Sequence, residues 1–357
     1  MQVTEGGARR AGKAGRDFFD RHISPFSGKL REDVLLGPKY GADFGVVSLG
    51  GGRVMAVSTD PIWVDRIYGL KRAAWFAFHT ITGDVAVSGL RPTHIAVDWN
   101  LPHSTKPSEA AQMLSVFHAE AEKLGMSIIA GHTGHYEGAS FPAVGGATAF
   151  AVGRGEDVRL PGSARPGDEV LMTKGAAIET AVAVCYRHPR AARTLIGRSA
   201  ASAVRSMFGS LSVVDDALVA SSLRSVSSMH DVSERGLAAA LNEMAELCGH
   251  DIVMDGTSPV VPVPVKRLCS ALSLDPLSCS SSGSLLVTVR SGSSDALIRT
   301  LSSKGIEAWR IGRIGKGDGG VFITGAGKRK RLDEPRSDGL VKGLEAAAKL
   351  EMEMDAA

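Results

Sequence analysis

The stretch Asp43-Phe-Gly-Val-Val-Ser-Leu-Gly-Gly-Gly-Arg-Val-Met-Ala-Val-Ser-Thr-Asp60 decides the fold. Two β-rich runs, Phe44 to Leu49 and Arg53 to Thr59, flank the turn Gly50-Gly51-Gly52, which is the pattern of a β-hairpin. An antiparallel hairpin returns its two free ends to the same end of the sheet. Asp43 opens the first run and Asp60 closes the second, so the hairpin sets two carboxylates near each other.

The pattern continues as an α/β alternation. Gly69 to about Gly89 reads as a helix, with Ala73, Ala74, Ala77 and Ile81 at helical spacing, and Pro92 breaks it. His94 to Trp99 reads as a strand. Ser108 to Leu124 reads as an amphipathic helix, with Ser108 as N-cap and Met113, Phe117 and Leu124 in its apolar stripe. A buried strand, Ser127 to Ala130, is expected to lead into Gly131-His132-Thr133-Gly134-His135, and Ala143 to Val152 supplies one more strand.

Pro161-Gly-Ser-Ala-Arg-Pro-Gly167 is the best boundary, since its prolines and glycines leave few side chains for a core. Beyond it, Glu169 to Thr173 is a strand and Ala176 to about Tyr186 a helix, followed by helix-rich sequence to about residue 226. Leu237 to Cys248 is another helix; Ser284 to Val289 and Gly320 to Ile323 are strands. The expected organisation is a tail and helix over 1–35, an N-terminal domain over 36–160, a C-terminal domain over 167–325 and a polar tail over 326–357.

Composition narrows the function. The 357 residues suffice for two cores, and 44% hydrophobic with 22% charged residues is ordinary globular usage. A net charge of +3 argues against nucleic acid, and the basic run Lys328-Arg-Lys-Arg331 reads as a solvated loop. The cysteines Cys185, Cys248, Cys269 and Cys279 form no zinc pattern and suit a reducing, cytoplasmic setting. No apolar run is long enough to cross a membrane. A P-loop, a dinucleotide fingerprint and a Gly-x-Ser-x-Gly elbow are all missing.

Three carboxylates stand out by position: Asp43, Asp60 and Asp84, in Gly41-Ala-Asp43, Ser58-Thr-Asp60-Pro61 and Thr82-Gly-Asp84. Aspartate is a common turn former and helix cap, and spacing alone favours that reading. Grouped carboxylates repel one another, however, and are best reconciled by a cation between them. In Gly131-His132-Thr133 the glycine lets backbone approach a ligand and Thr133 can donate to a phosphate. Asp231 or Ser233 is placed to cap the helix that begins at Leu237.

In order along the chain, these segments resemble the aminoimidazole ribonucleotide synthetase (PurM-like) superfamily, which includes HypE, thiamine-monophosphate kinase and selenophosphate synthetase. The resemblance rests on Gly37-Pro-Lys-Tyr-Gly-Ala-Asp43, Ser58-Thr-Asp60-Pro61, Gly83-Asp84 through Pro92, Ile129-Ala-Gly131-His-Thr133, Arg165-Pro-Gly167-Asp168, His230-Asp231 with Arg235-Gly236-Leu237, and Leu274-Asp275-Pro276. It implies a two-domain α/β (α+β) protomer and a homodimer whose N-terminal sheets join in a barrel. It implies magnesium on Asp43, Asp60 and Asp84, ATP phosphates near Gly131, His132 and Thr133, and Asp231 as the catalytic residue facing the acceptor. The family reaction it implies is transfer of the γ-phosphoryl group to an oxygen of a small molecule, here unidentified.

Two departures bear on that expectation. The family often has Asn-Asp where this sequence has Gly83-Asp84, and an acidic residue where His132 stands, so one metal ligand is lost or replaced by histidine. HypE proper ends in a cysteine that accepts a carbamoyl group, whereas this sequence ends Glu351-Met-Glu-Met-Asp-Ala-Ala357, so that activity is not carried over. Two alternatives stand beside the phosphotransferase: a nucleotide-binding regulatory or scaffold protein without turnover, and a thiamine-monophosphate kinase-like enzyme.

Overall fold

Residues 12–258, 260–325 and 327–356 are described by the computed structural model. The first helix, α1 (Arg16–His22), precedes strands β1 (Val34–Leu36), β2 (Gly45–Gly50) and β3 (Arg53–Trp63). Then come α2 (Leu70–Ala86), β4 (His94–Pro102), α3 (Pro107–Leu124), β5 (Ser127–Tyr136) and β6 (Ala143–Arg154). The described strands form one sheet in the order β1-β2-β3-β6-β4-β5, antiparallel except for β4 and β5. The parallel pair is joined by α3, as a parallel connection requires.

The hairpin is formed by β2 and β3, with Gly45 opposite Val57 and Gly50 opposite Arg53. Gly50 is therefore paired, and the turn itself is only Gly51-Gly52, at φ +59° and +75°. Positive φ at both central residues gives the turn whose twist matches that of the strands. The strand that contains Asp60 runs past it to Trp63.

Helices α2 and α3 cover one face of this sheet. Phe78 and Ile81 of α2, Phe117 of α3, and Ile95 and Trp99 of β4 are fully or nearly fully buried there. The Phe117 ring packs edge-on to Phe78 and Trp99, with centroids 5.3 and 5.0 Å apart. Ser108 is not the cap of α3: Lys106 is, and Pro107 occupies the first turn, where a missing N–H costs nothing.

The second sheet holds β7 (Glu169–Thr173), β8 (Val226–Val232), β9 (Ile252–Asp255), β10 (Ser284–Val289), β11 (Ala308–Ile314), β12 (Val321–Gly325) and β13 (Lys328–Arg331), in the order β13-β12-β9-β11-β7-β10-β8. Between β7 and β8 lie α4 (Ile178–Arg187), α5 (Pro189–Ile196), α6 (Arg198–Ser206) and α7 (Val214–Ser221). The rest are α8 (Gly236–Cys248), α9 (Val263–Ala271), α10 (Ser294–Ser302) and α11 (Gly339–Ala356). The basic run Lys328–Arg331 is thus an exposed edge strand, not a loop. The expected polar tail contains an 18-residue helix as well, whose Ala347 is fully buried. Its small residues let α11 lie close against α4: a Cβ on Gly343 would meet Val184 at 3.5 Å.

The two sheets share one continuous core, because α2 packs against both. The Tyr68 ring sits 5.3 Å from Tyr186 and 5.2 Å from Phe208, joining the start of α2 to α4 and to the segment after α6. Gly83 of α2 faces Val213, whose Cγ2 would stand 2.9 Å from any Cβ there.

Candidate functional site: an acidic centre between the two sheets

Four elements meet at one acidic centre. Asp43 lies just before β2, Asp60 within β3, Asp84 in the last turn of α2, and Asp231 near the end of β8. Since β2 and β3 are antiparallel, and Gly45 is opposite Val57, the hairpin brings Asp43 level with the Thr59-Asp60 end of β3. Helix α2 lies over β3, so Asp84 reaches down to it: the Ser58 hydroxyl donates to Asp84 at 3.2 Å, and the Asp60 and Asp84 carboxyls lie side by side. Strand β8 then carries Asp231 in from the second sheet. Asp231 is inside that strand and caps nothing; α8 begins at Gly236 behind Arg235, which adopts the left-handed conformation, and neither Asp231 nor Ser233 caps it.

The electrostatics follow from burial. Burial holds Asp84 well above the usual carboxylate range, and the charges of Asp60 and Asp231 push it further the same way. Asp60 is raised chiefly by burial, although its contact with Asp84 works in the opposite direction. Asp43 is likewise raised by burial, which outweighs the nearby His230.

His230 is the counter-charge that sequence reading passed over. Its Nδ1 lies 3.2 Å from Asp43 and its Nε2 3.2 Å from Glu243, at ion-pair distance but off the hydrogen-bond axis. Burial alone would keep the ring neutral, but Asp43, Asp231 and Glu243 hold it protonated, well above the ordinary histidine range. Burial also acts on Asp231, yet the His230 bond and charge leave it below its ordinary value. Glu243 is brought down to about 2: burial opposes this, but His230 and Lys13 prevail.

Lys13 arrives from the N-terminal segment and sets its Nζ 3.2 and 3.3 Å from the two Glu243 oxygens, while its backbone N–H donates to Glu234. Arg235 adds an ion pair to Glu243 at 3.5 Å and binds Glu334 and the Tyr40 hydroxyl. Gly41, at φ +79°, lets the loop pass over α8, because a Cβ there would stand 2.8 Å from the Glu243 Cβ. One signal for Glu243 was present in the sequence: it lies seven residues after Gly236, two helical turns along one face.

The donor set suits a hard divalent cation. Oxygens of Asp43 and Asp231 fall within 4.8 Å of one another, with His230 beside them as counter-charge, and the carboxyl–carboxyl contact of Asp60 and Asp84 is a second place where positive charge belongs.

Gly131, His132 and Thr133 lie elsewhere in the protomer. Asp60 pairs with Ala147, Ala147 with Val97, and Val97 with Gly131, so one row crosses the sheet from Asp60 to Gly131. Three strand spacings make that separation about 14 Å. Successive residues alternate faces, so His132, opposite Asp98, points away from the face that Asp60 shares with α2. The expected buried strand Ser127–Ala130 is in fact the start of an exposed edge strand that continues through Tyr136. The reason is its place at the end of the sheet, where no further strand covers it.

Two sheets, their shared helical layer and an acidic centre between them define a two-domain α/β protein of the PurM-like fold. The AIR synthase related protein N-terminal domain matches residues 41–154 and the corresponding C-terminal domain matches residues 165–325, so the chain belongs to the AIR synthase related family. Among curated relatives, carbamoyl dehydratase HypE of Cupriavidus necator is 25% identical over 296 residues, covering 80% of each chain. That of Rhodobacter capsulatus is 27% identical over 237 residues, covering 64% of this chain and 66% of the relative. Among solved structures, Escherichia coli HypE superposes with a TM-score of 0.67 at 20% identity, over 81% of this chain and 88% of that one. A hydrogenase maturation protein HypE in complex with ATP gives 0.61 at 19% identity, over 93% and 97%. Thiamine-monophosphate kinase from Stenotrophomonas maltophilia gives 0.63 at 19% identity, over 84% and 93%.

Proposed function

We propose that this protein is an ATP- and magnesium-dependent enzyme that transfers the γ-phosphoryl group to an oxygen of a small molecule. The observation that carries the reading is the buried contact between the Asp60 and Asp84 carboxyls, with Asp43 and Asp231 beside it. Family membership supports it, as do relatives solved with ATP or with a non-hydrolysable ATP analogue and thiamine monophosphate.

In this reading Asp43, Asp60 and Asp84 hold magnesium, which when bound offsets charge on the phosphates. Asp231, on the strand from the second domain, faces the acceptor oxygen and orients its hydroxyl or amide. His230 fixes Asp43 and Asp231 from below. Lys13 pairs with Glu243 behind His230 and holds that carboxylate ionised. The dry, preformed arrangement is what makes fixed charges effective in such a transfer.

The protomer pairs through β5 in this proposal. Ile128 and Ile129 are 47% and 57% exposed on that edge, and a groove of about 300 Å³ beside them is walled by Val97, Trp99, Leu114 and Phe117. Gly131, His132 and Thr133 share the edge, so their contact with nucleotide runs through the dimer.

Calorimetric titration of ATP with and without magnesium tests the site. Wild-type protein is expected to bind ATP in a magnesium-dependent way, and Asp60→Asn to weaken it by at least about tenfold. Unchanged affinity and unchanged magnesium dependence in Asp60→Asn would show the assignment to be wrong. The reading without turnover has one observation in its favour: His230 and Lys13 already offset Asp43 and Glu243. Magnesium-dependent binding with no ADP release across an acceptor screen would select it.

A further inference from the structure

Where the first sheet hands over to the second, four arginines surround a cavity of about 420 Å³. Arg159 follows β6, Arg165 stands in the linker before β7, Arg224 precedes β8 and Arg290 follows β10. They come from four separate points of the chain, so no local sequence pattern announces them. Among the described residues, the side chains of Arg165, Arg224 and Arg290 make no hydrogen bond or ion pair, and all three are exposed. Arg159 is held in place by the carbonyls of Asp157 at 3.0 Å and Ser221 at 3.2 Å, and its Nε is buried without a partner.

The cavity's own carboxylates are mostly engaged. Glu156 pairs with Arg154 at 2.9 Å, outside the cavity. Asp168 accepts the Ser227 hydroxyl at 2.7 Å and the Arg165 N–H at 3.1 Å. Asp157 and Asp168 remain as carboxylates beside four arginines, so positive charge is in excess in the wall. Burial and the neighbouring Arg224 depress the Arg159 guanidinium, which Asp157 only partly offsets. Guanidinium groups gathered this way repel one another unless an anion lies between them.

We propose that this cavity is a second ligand site, distinct from the acidic centre, that binds a phosphorylated small molecule. Guanidinium forks match phosphate oxygens in pairs, and four of them line this wall. The volume lies in the range of small-molecule pockets, roughly 300–1,000 Å³, which leaves room for an organic part beyond the phosphate. The acidic centre is well separated. Ser227 of the cavity wall and Asp231 of the acidic centre lie four residues apart on β8, about 13 Å.

The site nevertheless abuts two elements of the acidic centre. The Arg159 N–H donates to the Ser88 carbonyl at 2.7 Å, just beyond the helix that carries Asp84. Ser227 lies four residues before Asp231 on β8. A ligand clamped by Arg159 and Arg224 therefore bridges the end of α2 and the start of β8, the elements whose spacing sets Asp84 against Asp231.

Calorimetry on the full chain at low salt, with EDTA present and nucleotide absent, tests this. The probes are ribose 5-phosphate and inorganic phosphate. Ribose 5-phosphate is expected to bind wild-type protein, more tightly than inorganic phosphate does, and at least about tenfold more weakly to the Arg224→Ala/Arg290→Ala variant. Both side chains are exposed, so the variant should keep its thermal midpoint; Arg224→Lys/Arg290→Lys retains the charge and should recover only part of the affinity. Asp60→Asn should bind ribose 5-phosphate like wild type, which separates this site from the acidic centre. No binding to wild-type protein, or binding that the double alanine variant leaves unchanged, would overturn the proposal. Inorganic phosphate binding as tightly as ribose 5-phosphate would overturn its organic part.

Discussion

Gly236 adopts φ +66°, and a Cβ there would overlap the backbone carbonyl of Cys279. It opens α8, the helix that presents Glu243 to His230 and Lys13. Gly236→Ala is expected to cost about 2–4 kcal/mol, combining left-handed strain with a clash that neither backbone can relieve, read as a lower urea midpoint. The conformational part was legible in the sequence, because a glycine before a helix invites that reading. The clash was not, since Cys279 is distant in the chain. The same division holds for the acids: Asp43 and Asp60 could be placed together from the hairpin, and Asp84 joined them only through the order of motifs around it. His230, Glu243 and Lys13 carried no local signal strong enough to give them a role, because each acts through partners far along the chain.

Among the elements, α2 ties the molecule together through a buried polar relay. The His79 Nε2 sits 3.2 Å from Glu120 on α3, and its Nδ1 2.9 Å from the Ser212 hydroxyl just before α7. Burial lowers the His79 pKa, and Glu120 only partly offsets it. A histidine depressed on folding gives stability that is present above the ordinary value near 6.5 and is lost as pH falls through its folded value. Thermal midpoints of the wild type should thus drop more steeply between pH 7 and 5 than those of His79→Gln, measured in parallel; equal slopes would refute the relay. Periodicity revealed α2 and α3 plainly because both are amphipathic over four or more turns. It failed for β5, where the apolar residues Ile128 and Ile129 looked like core and face outward instead. It failed also for β13, since four consecutive basic residues have no alternation to read.

At the scale of the molecule, the exposed edge of β5 makes the protomer incomplete in the reading proposed above. Sedimentation velocity at micromolar concentration should show a dimer for the wild type and a monomer for Ile129→Asp, with ATP affinity reduced in the monomer if Gly131, His132 and Thr133 act across the edge. A monomeric wild type would remove the pairing from the proposal. The proposed pairing of sheets comes only from resemblance, whereas the expected division near residues 161–167 rests on prolines and glycines in the sequence itself. What no composition window reveals is how late the N-terminal segment finds its seat. Lys13 meets Glu243 across 230 residues and Arg16 meets Glu246 across the same span. Synthesis proceeds toward the C-terminus, so Lys13 and Arg16 emerge 230 residues before their partners on α8. Neither ion pair can close before α8 is made, so their closure reports that α8 has already formed.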